Sequence, residues 1–268
     1  LALACMESGQ WERGWKEHEW GLTKEPNPMH SAMRVDRQFG DLPQWDGTPE
    51  KTVIVYGEQG LGDEIMFGSM IPDILKTNGV VIESHKRLKT LFENSFPGVP
   101  VYGTREDTEI AWPFNHNAEY RLSMGSLGKF YRNKVEDFPG TPYLKSETAP
   151  RGEKFRLGIS WTGGQKAGRV LVRTVPLSWW KKILDHDIEV VSLQYTECSE
   201  EIALMNKQGF DIKEFPEVKA EDYNETAKLV MSCDLVISIT TSVVHLAGSL
   251  GVPCWVMVPN KPTWPFQI

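Results

Sequence analysis

TVIVYGEQGLGDEIMFGSMIPDILK, residues 52–76, is the stretch on which the fold turns. Its first five residues are a β-branched apolar run that stops at Gly57, the pattern of a short buried strand. A glycine-rich turn follows, and Ile65, Met66, Met70, Ile74 and Leu75 then recur at helical spacing, so a helix is expected from Asp63 to Lys76. Further strands are expected at Val80 to Ser84 and Val99 to Gly103, with a helix at Lys86 to Ser95 between them. Such alternation predicts a parallel sheet covered on both faces.

Pro139, Gly140, Pro142, Pro150 and Gly152 interrupt the pattern over residues 137–152, where we place a hinge. A second α/β unit then starts. Its expected strands are Arg156 to Trp161, Glu189 to Gln194, Leu235 to Ile239 and Cys254 to Val258. Its expected helices are Leu177 to Leu184, Ser199 to Gln208, Tyr223 to Ser232 and Ser242 to Leu250. In the other direction, residues 1–22 read as a helical hairpin broken at Gly9, and 23–50 as an irregular connector rich in Pro, Gly, Asn and Asp. The expected division is therefore a hairpin (1–22), a connector (23–50), a first Rossmann-like half (51–146) and a second (147–268). Two such halves would face each other across a cleft at their strand ends, where open α/β sheets take ligands.

A chain of 268 residues, 40% of them apolar, can bury a sizeable core. Its net charge of −7 supplies no field for nucleic acid or an anionic membrane, so a bound phosphate would need a local site. No apolar run is long enough to span a bilayer and the first residues lack a signal-peptide layout, so a cytoplasmic location is expected. Cys5, Cys198, Cys233 and Cys254 have no metal or disulfide spacing and read as small buried hydrophobes; no metal ligand set is expected. The chain opens on Leu1 and stops at Ile268 just after an apolar strand, and it reads as a piece of a longer protein.

Three segments have residues suited to chemistry. In GEQGLGD (57–63), Gly60 and Gly62 let the backbone approach a ligand, and Asp63 is either a catalytic carboxylate or a helix cap. In SITTS (238–242), Thr240, Thr241 and Ser242 offer hydroxyls and free N–H groups at a helix start, which is either a diphosphate cradle or an ordinary cap; His245, one turn on, reads as structural. After Trp161, Gly163 and Gly164 precede Lys166, Arg169 and Arg173, with no acidic residue from Thr162 through Trp180, so this loop could neutralise phosphate or simply be solvated. Gln194, at a strand end, either meets a ribose or base or is a buried hydrogen-bonding side chain.

EQGLGDEIMF (58–67), LGISWTGG (157–164), VSLQ (191–194) and DLVISITTSVVHLAGSLGVPCWVMVP (234–259) together resemble the glycosyltransferase domain of bacterial tetratricopeptide-repeat proteins, related to heptosyltransferases. SGQWERGWKEHEW (8–20) resembles the end of a last repeat. The resemblance implies a GT-B fold with an acceptor half and a nucleotide-sugar half, no cofactor and no metal. It further implies Asp63 as catalytic base, Lys166, Arg169 and Arg173 as counter-charge to the leaving diphosphate, and inversion at the anomeric carbon. The donor would be a nucleotide-sugar and the acceptor a glycan, lipid-linked sugar or protein, with a protein partner reached through upstream repeats. Thr240 stands where the family usually has Asp, so a non-catalytic repeat scaffold and a nucleotide-sugar epimerase are the competing readings.

Overall fold

The computed structural model describes residues 1–23, 34–163, 173–260 and 266. These form two compact units, Leu1–Tyr143 and Leu144–Pro262, with Phe266 grouped with the first. Each is built on its own parallel sheet, giving the two Rossmann-like halves that the strand and helix alternation predicts.

The first unit begins with α1 (Ala2–Glu7) and α2 (Trp11–His18), the expected hairpin, turned at Gly9 with φ +74°. The hairpin is no separate module. Trp15 is buried, donates its Nε1–H to the Arg132 carbonyl at 2.6 Å, and covers Gly128, where any Cβ would run into its ring. Two short parallel strands follow, β1 (Leu22–Thr23) and β2 (Arg34–Val35). The described part of the connector is irregular as expected, yet it is packed: Arg34, Phe39 and Trp45 are all buried. Isolated aromatics without periodicity hide such burial from a pattern reading.

The first sheet consists of β3 (Thr52–Tyr56), β4 (Gly79–Glu83), β5 (Val101–Tyr102) and β6 (Tyr120–Ser123), in the order β5-β4-β3-β6. Its helices are α3 (Leu61–Gly68), α4 (Ile71–Ile74), α5 (Lys89–Ser95) and α6 (Gly128–Tyr131). The single helix expected from Asp63 to Lys76 is thus two. Pro72 has no N–H for the Gly68 carbonyl and its ring crowds that group, so the chain breaks and restarts with Pro72 in the first turn of α4.

The second unit comprises β7 (Arg156–Ser160), α7 (Lys181–Leu184), β8 (Glu189–Ser192), α8 (Ser199–Lys207), β9 (Ile212–Lys213), α9 (Tyr223–Met231), β10 (Leu235–Ile239), α10 (Ser242–Leu250) and β11 (Cys254–Met257). Its sheet runs β11-β10-β7-β8-β9, all parallel. Residues 177–180, expected to be helical with 181–184, form a tighter 3₁₀ turn leading into α7. Leu157, Ile159, Trp161, Leu177, Trp180 and Ile237 are among its core residues. Cys5, Cys198 and Cys233 are buried and unpaired, as expected; Cys254, expected to be buried as well, is only half-buried on the edge strand β11. No helix among the described residues is long and apolar enough to cross a membrane.

In each of these two sheets the strand that comes first in the chain, β3 or β7, lies inside, with the later strands added to either side of it. Chain order therefore reverses between β3 and β6 in the first sheet and between β7 and β10 in the second. The loops leaving the carboxyl ends of those strands diverge there, opening the crevice in which α/β proteins bind ligands.

Candidate functional site

At the first reversal, Gly57 to Gly60 lead from β3 into α3, with Gly60 as N-cap. Asp63 is the third helical residue, half-buried, and one carboxylate oxygen accepts the Gly60 backbone N–H at 3.0 Å. The capping role of Asp63 is thus realised, and its second oxygen is left for other work. Burial, helped by the nearby Glu58 charge, holds its carboxyl above the ordinary aspartate range, against the Gly60 hydrogen bond and Arg105. Gly62, expected in the loop, is the second residue of α3.

Around Asp63 the loop is fixed by charges. Glu58 is buried, pairs with the Arg34 guanidinium through both its Nε and an Nη at 3.0 Å, and accepts the Gly125 N–H at 2.8 Å from the loop after β6. Glu58 therefore fills the crevice between β3 and β6. Arg34 also reaches Ser123, Ser126, Glu19 and His18, and burial beside this cation pushes the His18 ring down to about 4, so it is neutral at pH 7. Glu64 is fully buried against Gly57, where any Cβ would collide with its carboxylate. It pairs with Arg105 at 2.6 Å and accepts the His85 N–H at 2.9 Å. Desolvation raises its carboxyl to about 7 despite that partner. Arg105 also donates to the Gln59 carbonyl, tying the loop to the far side of the sheet.

Sequence reasoning passed over Arg34, Glu58, Glu64 and Arg105. A signal existed: three acids lie within seven residues of a glycine-rich strand end, and Glu64 directly abuts an apolar helical run. What the sequence lacks is any sign of the arginines, which come from 24 residues upstream of Glu58 and 41 downstream of Glu64.

The second reversal is built without buried ion pairs in the contacts described. Thr241 is the N-cap of α10, and its side chain makes no capping hydrogen bond; its hydroxyl lies 3.2 Å from that of Ser238. Ser242 is 3.1 Å from the Tyr223 hydroxyl, and Thr240 is buried. Gly163, just past β7, packs on this helix start: a Cβ there would stand 2.9 Å from the Thr241 methyl. The structure thus brings Gly163, Thr241 and Ser242 together at the helix N-terminus, where unpaired N–H groups and the helix dipole favour an anion. Arg173 is half-buried, and its neighbour Thr174 bridges back to Thr162, just before Gly163, with their hydroxyls 2.7 Å apart. Lys166 and Arg169 lie outside the described residues.

Gln194 is almost wholly buried. Its carbonyl oxygen accepts from Ser160, Trp161 N–H and Thr162 N–H, and its amide donates to the Thr162 carbonyl and the Thr196 hydroxyl. Of the two roles considered for it, this arrangement is the buried hydrogen-bonding one: Gln194 shapes the loop that presents Gly163. The half-buried His245 ring is pushed down to about 4 by desolvation and is neutral at pH 7, which fits a structural part. Among the described residues no cluster of three His, Cys, Asp or Glu side chains is arranged to hold a metal ion.

No protein-family model matches the chain. Protein FlbA of Caulobacter vibrioides is 28% identical over 297 residues, covering 98% of this chain and 48% of FlbA, so the chain spans about half the length of that relative. Among solved structures, the glycosyl transferase family 9 protein of Veillonella parvula superposes with a TM-score of 0.58 at 12% identity, over 80% of this chain and 83% of that one. Escherichia coli heptosyltransferase WaaC, solved with ADP-2-deoxy-2-fluoro heptose, superposes with a TM-score of 0.52 at 13% identity, over 79% and 90% of the two chains. At such identities the likeness establishes the fold, two Rossmann-like halves of the GT-B type.

Proposed function

We propose that this chain is the transferase part of a nucleotide-sugar glycosyltransferase, acting by direct displacement with inversion and without a metal ion. The observation that carries the reading is Asp63: a half-buried carboxylate with raised proton affinity, held at the carboxyl end of the inner strand β3 by one oxygen only. The shared fold with glycosyltransferases of known structure supports it.

In this reaction Asp63 accepts the proton of an acceptor hydroxyl as that oxygen forms its bond to the anomeric carbon. The bond from the anomeric carbon to the diphosphate breaks, and its electron pair leaves with the nucleoside diphosphate. The N–H groups at the start of α10, with the hydroxyls of Thr241 and Ser242, receive the diphosphate, and Arg173 balances its charge. Gly163 leaves room for the phosphates to approach. The acceptor is a glycan, a lipid-linked sugar or a protein side chain, and the α1–α2 hairpin ends a repeat array that recruits a protein partner.

Binding and turnover of ADP-, GDP-, UDP- and CMP-sugars by the full-length protein test the proposal. One of them should bind and lose its sugar to an acceptor. Absence of binding to all four would remove the proposal, and an isomerised rather than transferred sugar would make the protein an epimerase. The non-catalytic reading draws on Thr240 in the place of an acid, and turnover would eliminate it.

A further inference from the structure

Asp63 sits on α3, yet the group that holds its carboxylate lies in the loop before that helix. The Gly60 N–H that donates to Asp63 Oδ2 and the Gln59 carbonyl that accepts from the Arg105 guanidinium belong to one peptide group. A trans peptide carries its C=O and N–H on opposite edges of one plane, so Arg105 on one edge fixes where the N–H on the other points. Local sterics do not set that plane. Gly60, at φ −109° and ψ 166°, has no Cβ to restrict rotation of the peptide before it. The fit is close, since a Cβ on Gly60 would stand 3.1 Å from Asp63 Oδ2.

Arg105 is itself anchored. It follows β5, its backbone N–H donates to the Ser84 carbonyl just past β4 at 3.1 Å, and its side chain is only 12% exposed. The same Nη1 that meets the Gln59 carbonyl lies 2.6 Å from Glu64 Oε1, while Glu64 Oε2 accepts the His85 N–H at 2.9 Å. Strands β4 and β5 thus hold the guanidinium, and the guanidinium holds the peptide. A hydrogen bond from a cation to the carbonyl also polarises the peptide and strengthens its N–H as a donor. Two charges act on the Asp63 carboxyl from nearby: Glu58 in the same loop, itself matched by Arg34, and Arg105, which opposes the rise that burial imposes.

We propose that Arg105 is the positioning residue of Asp63, orienting its carboxylate through the Gln59–Gly60 peptide group rather than serving only as counter-ion to Glu64. As a role in sugar transfer this rests on the transferase reading. The test compares full-length wild type, Glu64→Gln, Arg105→Met and the double variant. Glu64→Gln takes away the acid that a counter-ion would serve, so the double variant, which leaves Glu64 no charge to be stranded, isolates the peptide contact. Exchange of the Gly60 amide proton and titration of the Asp63 carboxyl carbon are followed by NMR without substrate. Gly60 should stay protected in Glu64→Gln and exchange at least about tenfold faster in both proteins that lack Arg105. Asp63 should titrate at higher pH in the double variant than in Glu64→Gln. If Arg105→Met fails to fold, Glu64→Gln and the double variant carry the same comparison. A double variant with the Gly60 exchange rate of Glu64→Gln overturns the proposal, because Arg105 would then only neutralise Glu64. With a nucleotide-sugar that the wild type turns over, the double variant should lose roughly tenfold or more in kcat against Glu64→Gln while donor KM stays the same. Equal kcat overturns the proposal too. Absence of turnover in the wild type instead counts against the transferase reading, and the exchange rates, which need no substrate, still decide whether Arg105 orients Asp63.

Discussion

The two sheets share a plan and differ in what fills their reversal points. Between β3 and β6 the crevice is occupied by a buried ion pair, Glu58 with Arg34, and the adjoining loop is clamped by a second, Glu64 with Arg105. Between β7 and β10 the corresponding place holds a glycine, two hydroxyls and the tip of a helix. A buried charge is costly to leave unpaired, so the first crevice is locked in one geometry by partners drawn from distant segments. The second keeps backbone N–H groups open, which suits a ligand that brings its own negative charge. Equal topology thus gives a rigid, charge-lined loop on one unit and an anion-receptive one on the other.

The comparison can be broken most directly at Arg34. Arg34→Met leaves Glu58 buried without its cation and should lower unfolding free energy by about 3–5 kcal/mol in chemical denaturation. In the second unit, Gln194→Leu removes neutral hydrogen bonds to Trp161 and Thr162 and should cost only about 1–3 kcal/mol. Equal losses in the two variants would erase the distinction drawn between the loops.

Asp63→Asn keeps a hydrogen-bond acceptor for Gly60 and removes the basic lone pair. Turnover should fall by roughly a hundredfold or more with nucleotide affinity little changed. Near-normal turnover would leave Asp63 as a cap alone. On the other unit, Thr241→Val and Arg173→Ala should each weaken nucleoside-diphosphate binding by about 1–3 kcal/mol in calorimetry, without altering the stability gap between the Arg34 and Gln194 variants. Unchanged affinity in both variants would place the phosphates elsewhere.

The smallest expected effect is a pH slope. Glu64 in the folded protein titrates near 7, above the ordinary glutamate value of 4.5, so the native state holds more protons than the unfolded one between those values. Stability attributable to Glu64 therefore declines as pH rises through that window, and the decline is complete above it. Glu64→Gln lacks this slope, so the wild-type curve minus the variant curve, measured from pH 4.5 to 8, should fall as pH rises. A difference curve that is flat, or that slopes the other way, would mean that Arg105 compensates the burial fully.

Much of the architecture was readable locally. The strands β3 (TVIVY) and β10 (LVISI) are short, largely apolar and β-branched runs, and α10 begins at a Thr-Ser pair and stops at Gly251, whose φ of +79° suits glycine. Asp63, Thr241, Ser242 and Gly163 stand out because each follows a strand end. The strands β6 and β9 escaped notice because four and two residues carry too little pattern. The connector escaped because Phe39 and Trp45 are buried singly, with no period to betray them.

The sequence by itself determined the parallel α/β class and marked the strand-end loops proposed to bear the chemistry, since these depend on periodicity and on glycine, proline and capping residues within a few positions of one another. Only the tertiary structure decided that Glu58 and Glu64 are buried and paired, that Gln194 is enclosed in a hydrogen-bond network, and that Gly163 abuts Thr241. Those outcomes depend on partners tens of residues apart in the chain, and on the desolvation that only a closed fold imposes.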